Sequence, residues 1–263
     1  MALPHAPGDT ASAVKLSVVI PVYNEATTVG EVIDRVAEVP IEKEIIVVDD
    51  GSTDRSLELV RTRGEKIRFV HEGRVNQGKG TAVRIGLTYV TGDVAIIQDA
   101  DLELDPAEYE RLLDPILTGE TDVVFGSRFL EHSRRVRLKT RLQNRAIVLL
   151  TNLLYGSRLT DVTTAYRLFR TDVIRGIRLE SRRFEIESEI TAKLLRLGIR
   201  IVEVPVTYRP RTSAEGKKIR WTDGVSAVRA LLRWRLAPLS SLAVRSEPAL
   251  ARADGPGAPR SAS

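Results

Sequence analysis

Three carboxylates follow a predicted buried strand near the middle of the chain. The strand covers residues 94–98, and Asp99, Asp101 and Glu103 come within the next five positions. In an extended segment, residues two apart share one face, so these side chains would project together. Carboxylates packed this closely repel one another unless a cation lies between them. The spacing therefore predicts a site for a hard divalent cation that also holds a substrate's phosphates. A solvated acidic turn is the alternative.

Two other turns carry side chains that can recognise a nucleoside. Residues 21–25 place Tyr23 near Glu25, so a ring that stacks on a base stands near a carboxylate that hydrogen-bonds it. Asp50 follows a second predicted strand, where it could accept a hydrogen bond from a base or a ribose. Each turn also has a simpler explanation, because a strand-to-helix turn needs no ligand and Ser52 or Asp54 could cap the next helix.

Basic residues offer three places for phosphate groups. Residues 76–80 precede a predicted helix, whose free backbone N–H groups and Lys79 could meet a phosphate, although the segment lacks the spacing of a Walker A loop. Two basic clusters, at 133–145 and 209–220, would pair well with phosphate oxygens, with a solvated surface as the alternative. Their basic residues are Arg134, Arg135, Arg137, Lys139, Arg141 and Arg145, and Arg209, Arg211, Lys217, Lys218 and Arg220.

Alternating strands and helices would position these groups. The first half of the chain predicts an α/β fold, with a mainly parallel, Rossmann-like sheet and helices on both of its faces. Ligands in such sheets bind beyond the carboxyl ends of the strands, which is where the polar turns fall. The predicted strands are 16–22, 44–49, 66–70, 94–98 and 122–126, and the predicted helices are 27–38, 53–63, 79–90 and 106–118.

The second half of the chain alternates less regularly. Helices are predicted at 136–155 and 186–197, and a strand is predicted at 199–208, in which Pro205 favours an edge position or a bulge. The Pro-rich and Gly-rich end of the chain predicts disorder. The predicted parts are a flexible leader at 1–13, a main domain at 14–222, an amphipathic terminal helix at 223–239 and a disordered tail at 240–263.

Composition limits the classes of function. The net charge of +5 indicates anionic partners such as nucleic acid, phosphorylated small molecules or anionic lipid. The absence of cysteine excludes a disulfide framework and a cysteine-ligated zinc site. No apolar stretch approaches the roughly 18 residues of a membrane span. The first 15 residues lack the apolar segment of a secretory signal, so a cytoplasmic location is expected.

The polar turns together resemble segments of the family-2 glycosyltransferases with the GT-A fold. Within that family, the sequence looks like the polyprenyl-phosphate sugar synthases, of the dolichyl-phosphate mannosyltransferase or glucosyltransferase type. The resemblance spans 16–222 and implies a GT-A domain with acceptor-side helices towards its C-terminal end. The matching segments are VIPVYNE at 19–25, IVVDDGSTD at 46–54, NQGKG at 76–80, QDADLE at 98–103, VFGSR at 124–128, LTDVTTAYRLFR at 159–170, FEIESEI at 184–190 and AEGKKI at 214–219.

The resemblance implies which residues meet a nucleotide-sugar donor. Asp99 would contact the ribose or the sugar, and Asp101 and Glu103 would hold Mg²⁺ or Mn²⁺ on the diphosphate. Arg211 and Lys217, or the neighbouring lysine, would lie on a loop that closes over that diphosphate. The other residues implied on the donor side are Pro21, Tyr23, Glu25, Asp50 and Lys79.

The resemblance also implies the acceptor and the reaction. Arg128 would sit near an acceptor phosphate, with Arg141 and Asn144 as further contacts, and would form the catalytic set with Asp99 and Asp101. The implied reaction is an inverting transfer of mannose or glucose, from GDP-mannose or UDP-glucose, to a polyprenyl or dolichyl phosphate. Because that phosphate is already anionic, a strong general base is dispensable. Basic side chains would screen the two anions from each other.

Two other functions are compatible with parts of the sequence. A family-2 enzyme could transfer sugar to a soluble or glycan hydroxyl, a reaction in which Glu187 could serve as the base. A non-enzymatic nucleic-acid-binding module is a more remote alternative. Aromatic residues make up only 5% of the chain, which leaves few platforms for base stacking.

The helix predicted at 222–236 bears on the location of the protein. A basic amphipathic helix can lie on an anionic bilayer, and an amphipathic helix can equally pack in a core. We predict peripheral attachment to the inner face of the cytoplasmic membrane, with an integral-membrane protein as a conceivable partner. The apolar residues of the helix are Val225, Val228, Leu231, Leu232 and Trp234, and the basic ones are Arg229, Arg233 and Arg235.

Overall fold

A seven-stranded sheet forms the centre of the protein. The computed structural model describes residues 14–130, 136, 138–211 and 221–244. The predicted leader at 1–13 and Lys217 lie outside the described residues. Residues 240–244 belong to the predicted disordered tail, yet Leu242 is buried and Ala243 forms a β-bridge with Ile177. The ordered part of the chain therefore extends beyond the boundary predicted at 240.

The sheet is mainly parallel, as predicted. Its strand order is β3-β2-β1-β4-β6-β5-β7, and only β6 runs antiparallel to its neighbours among the described strands. Six strands lie within three residues of the predicted bounds, and β7 is an edge strand, as its proline indicates. The strands are β1 (Leu16–Val22), β2 (Lys43–Asp49), β3 (Phe69–Glu72), β4 (Val94–Ile97), β5 (Val123–Ser127), β6 (Arg167–Arg170) and β7 (Ile201–Pro205).

The sequence pattern does not predict β6. The strand has only four residues and both ends are arginine, so it shows neither a long apolar run nor a clear alternation. Its first residue, Arg167, is paired in register with Ile97 at the end of β4 and with Phe125 in β5. Because β6 is antiparallel, the segment that precedes it reaches the sheet edge at which β4 and β5 end.

Helices cover both faces of the sheet and enclose three apolar clusters. One face packs against α1 and α4, the other against α3 and α7. A third cluster forms among α5, α7 and α8 and reaches Ile201 of the edge strand β7. The helices are α1 (Val29–Glu38), α2 (Ser56–Arg61), α3 (Lys79–Thr88), α4 (Tyr109–Leu117), α5 (Leu138–Tyr155), α6 (Thr171–Arg175), α7 (Ile186–Arg196) and α8 (Trp221–Leu236).

One side of the C-terminal helix α8 packs in the core. Leu231 and Trp234, two of the residues predicted to face a bilayer, are fully or almost fully buried in the third cluster. Arg196 of α7 further holds the end of α8 by donating to the backbone carbonyl groups of Trp234 and Arg235. The prediction that the apolar side of this helix lies on a membrane is therefore wrong for Leu231 and Trp234.

A buried carboxylate ties the first two strands to the segment before β4. Glu44 of β2 accepts hydrogen bonds from the hydroxyl groups of Ser17 and Thr91 and from the Thr91 N–H group, and it pairs with Lys15. Burial would raise the pKa of Glu44, but hydrogen bonds from Ser17, Thr91 and Lys15 outweigh it and lower the pKa to about 2. Glu44 is thus charged in the folded protein at every pH above about 2.

Glu44 is expected to make stability depend on acid pH. A carboxyl whose folded pKa is depressed stabilises the fold above its unfolded pKa, near 4.5, and loses that contribution as the pH falls towards about 2. The contribution is on the order of 3 kcal/mol. Urea unfolding at pH 7 should show Glu44→Gln less stable than the wild type, with the gap closing towards pH 3. The exposed Glu42→Gln is the matched control, and a constant gap would contradict the prediction.

Candidate active site

Polar side chains from distant parts of the chain meet at one edge of the sheet. β1, β2 and β4 are parallel, so the turns that follow Val22, Asp49 and Ile97 open onto the same edge. The first residue of α3, Lys79, and the first turn of α7, with Glu187, reach this edge as well. The edge therefore holds most of the side chains that the sequence predicts for a site.

Lys79 links the acidic turn after β4 to α7. Its Nζ lies 2.7 Å from Asp99 Oδ1 and 3.0 Å from Glu187 Oε1. Burial would lower the pKa of Lys79, but the charges of Asp99 and Glu187 more than offset burial and raise it. The ammonium group that the sequence assigns to a phosphate is thus engaged by two carboxylates, and it holds both of them in place.

The three carboxylates after β4 do not share one face. β4 ends at Ile97 and the chain then bends, so the extended geometry assumed for 99–103 is wrong. Asp99 turns towards Lys79, whereas Asp101 Oδ2 lies 3.2 Å from Arg211 Nη2. Across the described part of the chain, no three His, Asp or Glu side chains form a group that could hold a metal ion.

Arg211 supplies a positive charge beside Asp101. Its Nη2 lies 2.8 Å from Glu25 Oε2 as well as 3.2 Å from Asp101 Oδ2. Nε and Nη2 are nevertheless buried without a well-aligned hydrogen-bond partner among the described residues, so the contacts are ionic. The Arg211 guanidinium therefore lies between two carboxylates predicted for the donor site and compensates part of their negative charge.

Glu103 has a different role from Asp101. Its two carboxylate oxygens accept hydrogen bonds from the Tyr208 hydroxyl and the Arg211 N–H group, each at 3.0 Å. Its backbone carbonyl also accepts from the N–H group of Arg209. In this structure Glu103 anchors the segment that carries Arg211, and its assignment as a metal ligand stays a prediction.

Asp50 holds the turn before α3. Its two oxygens accept the backbone N–H groups of Gln77 at 2.8 Å and Gly78 at 2.6 Å. Gly78 has a φ of +102°, a backbone conformation that residues other than glycine rarely adopt. Burial raises the pKa of Asp50, against the effect of these two hydrogen bonds. The residue predicted to bind a nucleoside therefore also shapes the loop that precedes Lys79.

The turn after β1 is fastened to the turn after β2. Asn24, at a positive φ of 50°, accepts a hydrogen bond from Thr53 N–H at 2.7 Å and donates its own N–H to Ser52 Oγ at 3.0 Å. Ser52 thus acts as a link between turns. Pro21 and Tyr23 are partly exposed beside this link, at the mouth of the same edge. Their roles in nucleoside binding stay predictions.

A second charged group lies after β5. Arg128 forms a two-pronged pair with Asp161, through Nε to Oδ2 at 2.7 Å and Nη2 to Oδ1 at 2.8 Å. Burial would lower the pKa of Arg128, but the Asp161 charge outweighs burial and raises it. Nη2 also donates to Thr163 Oγ1 at 2.8 Å. Among the described residues these bonds use Nε and Nη2, which leaves Nη1 as the nitrogen that could meet a further anion.

Two of the three residues predicted for the acceptor side come together around Thr163. The Thr163 hydroxyl donates to Asn144 Oδ1 at 3.1 Å and accepts from Arg128. Asn144 is buried on α5, and its amide donates to the carbonyl of Thr160. Arg141 lies one turn earlier on α5, exposed at the surface.

Arg167 supports this arrangement from inside the protein. Its guanidinium donates to the carbonyl groups of Val162, Thr164 and Glu187 and lies 4.3 Å from the ring centre of Phe125. Burial lowers the pKa of Arg167 to about 10. The side chain thus joins the loop that carries Asp161 to the start of α7.

Tyr208 connects the charged group around Arg211 to the charged group around Arg128. Its hydroxyl donates to Glu103, and its ring centre lies 5.2 Å from the guanidinium carbon of Arg128. Asp161, Thr163, Arg167 and Tyr208 are not among the residues predicted for the site. A signal existed for the first three, because they fall inside the matching segment 159–170.

The sequence is similar to those of known glycosyltransferases. Residues 17–178 match the family described as glycosyl transferase family 2. An undecaprenyl-phosphate mannosyltransferase from Micrococcus luteus is 32% identical over 229 residues, covering 83% of this chain and 93% of that protein. A dolichol-phosphate mannosyltransferase from Pyrococcus furiosus is 28% identical over 211 residues, covering 77% of this chain but only 59% of that protein.

Solved structures show the same fold. Glucosyl-3-phosphoglycerate synthase from Mycobacterium tuberculosis, in complex with Mn²⁺, uridine diphosphate and phosphoglyceric acid, superposes with a TM-score of 0.67 at 22% identity, covering 89% of this chain and 85% of that one. Its complex with Mg²⁺ and uridine diphosphate gives a TM-score of 0.64 at 23% identity, covering 89% and 86%. From the family match and the Micrococcus relative together, the chain belongs to glycosyl transferase family 2, and it is a glycosyltransferase with the GT-A fold.

Proposed function

We propose that this glycosyltransferase moves a hexose, mannose or glucose, from GDP-mannose or UDP-glucose to a polyprenyl phosphate, giving a lipid-phosphate sugar. The observation that carries the proposal is a pair of arginines that Tyr208 and Glu103 connect. Arg211 lies with Asp101 and Glu25, and Arg128 lies with Asp161. Two anionic substrates need two cationic groups, and a phosphate acceptor is the simplest reason for the second.

The donor side of the site suits a diphosphate with a divalent cation. Asp101 Oδ2 already faces a positive group, so the residues present fit Mg²⁺ or Mn²⁺, with Asp101 as the protein ligand. A bound ion would stabilise the negative charge on the departing diphosphate. Arg211, whose Nε and Nη2 are buried without aligned acceptors among the described residues, would donate to the diphosphate oxygens.

The protein's own groups would then align the reactants. Lys79 pairs with Asp99 and would hold this carboxylate so that it faces the ribose or the sugar. Arg128 Nη1 would orient the acceptor phosphate for attack on the anomeric carbon, with inversion. The acceptor oxygen is anionic before it reacts, so no side chain has to remove a proton from it.

Transfer to a hydroxyl acceptor is the second candidate. It is favoured by Glu187, because burial raises the pKa of this carboxyl, and a raised pKa suits a general base. Lys79 opposes this effect and engages Glu187 Oε1 at 3.0 Å, which leaves the candidate in second place. Because the chain belongs to a glycosyltransferase family, the nucleic-acid-binding alternative is no longer needed.

A membrane-borne acceptor also implies a location. Within the described residues, no helix combines the length and the apolar character that crossing a bilayer requires. We propose peripheral attachment at the inner face of the cytoplasmic membrane, where a nucleotide-sugar and a lipid phosphate would both be accessible. An integral-membrane protein that receives the glycolipid would be a fitting partner.

A crossed panel of donors and acceptors tests the proposal. GDP-mannose and UDP-glucose would each be supplied with Mg²⁺ or Mn²⁺ to polyprenyl phosphate, to the corresponding polyprenol and to phosphoglyceric acid. Glycolipid should form with one donor and polyprenyl phosphate only, and chelation of the metal should abolish it. The polyprenol is the matched control, because it lacks only the phosphate. Transfer to the polyprenol or to phosphoglyceric acid, with none to polyprenyl phosphate, would overturn the proposal.

A further inference from the structure

An apolar stripe is exposed along α5. Leu138, Leu142, Leu149 and Leu153 are 70%, 59%, 70% and 80% exposed. At 100° per residue, the four side chains fall within an arc of about 60° on the helix surface. Four exposed leucines on a single stripe differ from scattered surface residues, which are common and need no explanation. The stripe therefore marks α5 as a surface that binds something apolar.

The other side of α5 is firmly packed, so the orientation of the stripe is set by the fold. Ile147 and Thr151 are buried, and Ile147 belongs to the cluster shared with α7 and α8. Tyr155, at the end of the helix, donates its hydroxyl to the carbonyl of Leu231 in α8. α8 buries Leu231 and Trp234 in that cluster but exposes Val225, Leu232 and Leu236, so the leucines of α5 form the longer of the two exposed apolar stripes.

The charges around the stripe favour an anionic partner. The sequence of α5 contains Lys139, Arg141 and Arg145 and no acidic residue, and both arginines are exposed. Apolar side chains bordered by basic ones suit the surface of an anionic bilayer. A second copy of this chain fits less well, because a two-fold interface joins the same surface of both subunits, and α5 carries no acidic residue that could pair with the basic ones of its partner.

We propose that the leucine stripe of α5, with Arg141 and Arg145 beside it, docks the enzyme on an anionic lipid bilayer. The inference rests on the proposed function, in which the acceptor phosphate is carried by a lipid. α5 links the docking surface to the acceptor site, because Asn144 on its buried side reaches Thr163 and, through it, Arg128. With α5 flat on the surface, the Arg128 group would lie about one helix diameter, ~10 Å, above the lipid.

Vesicle binding tests the docking surface directly. Leu149→Glu/Leu153→Glu, made in the full chain, should lower binding to phosphatidylglycerol vesicles at least tenfold in a sedimentation assay. Both leucines are exposed, so the variant should keep the wild-type fold by circular dichroism. Leu117→Glu/Val75→Glu is the matched control, since it places the same charges at exposed apolar sites elsewhere. Wild-type binding by the α5 variant would overturn the inference.

Two acceptors separate this inference from the proposed function. The α5 variant should transfer sugar to a short, water-soluble isoprenyl phosphate at the wild-type rate, and should lose activity towards polyprenyl phosphate embedded in vesicles. If the wild type uses neither acceptor, the proposed function fails, and vesicle binding still decides on the stripe. If light scattering shows that the variant dissociates a wild-type dimer while vesicle binding is unchanged, the stripe is a self-association surface and the lipid inference is overturned.

Discussion

Asp101→Asn is expected to lower the rate of sugar transfer about 100- to 1,000-fold. Asp101 offers one carboxylate oxygen to Arg211, and in the proposed reaction that oxygen would hold the divalent cation on the donor diphosphate. A metal that stabilises a departing charge contributes several kcal/mol to the transition state, and each 1.4 kcal/mol changes the rate tenfold. Initial rates with saturating donor and acceptor would measure the loss.

The control for this substitution lies four residues further on. Asp105 accepts the N–H group of Ala107 at the start of a short helical turn, and asparagine can keep that bond. Asp105→Asn should therefore retain the wild-type rate. The binding of Mn²⁺ in the presence of the nucleoside diphosphate, followed by electron paramagnetic resonance, should weaken in Asp101→Asn alone. Wild-type turnover by Asp101→Asn would remove this residue from the donor site.

Asp161→Ala is expected to destabilise the fold by about 3–5 kcal/mol. Asp161 is fully buried and is the partner of the Arg128 guanidinium. Its removal would leave a buried positive charge uncompensated, which is far more costly than the pair itself is stabilising. Urea unfolding at pH 7 would measure the change. Arg128→Met/Asp161→Asn should recover more than half of the lost stability, because no charge then remains unpaired, while sugar transfer should stay impaired.

An exposed pair of the same chemistry is the control. Arg170 bonds to Asp172 with the same two-pronged geometry, at 3.2 and 3.1 Å, but both side chains are about half exposed or more. Asp172→Ala should change the free energy of unfolding by no more than about 1 kcal/mol. Equal losses for Asp161→Ala and Asp172→Ala would show that burial does not decide the energy of these pairs.

The strands could be predicted because their signals are local. Leu16–Val22 is an apolar run that ends at a polar turn, and its bounds agree with the prediction at both ends. β6 lacks such a local signal, since four residues with arginine at each end show no hydrophobic period. Its position depends on pairing with β4 and β5, which lie tens of residues earlier in the chain.

The positions of the candidate site residues along the chain could be predicted, but the contacts between their side chains could not. Strand order brings the turns after β1, β2 and β4 together, and a sheet of this class is visible in the sequence. One of the two partners of Lys79 is Glu187, 108 residues away, and no local pattern connects them. α8 shows the same limit, because an amphipathic helix reveals its apolar side without revealing what covers it.

In the proposed reaction, Arg211 would make donor binding an exchange of counter-ions. The charges of Glu25 and Asp101 are already partly compensated by a guanidinium from the same chain, so an arriving metal and diphosphate would replace one set of counter-charges with another. The measured affinity would then report a difference between two ionic states, smaller than the sum of the new contacts. After transfer, the same arginine would compete with the metal for the two carboxylates, and this competition would favour the departure of the spent nucleotide.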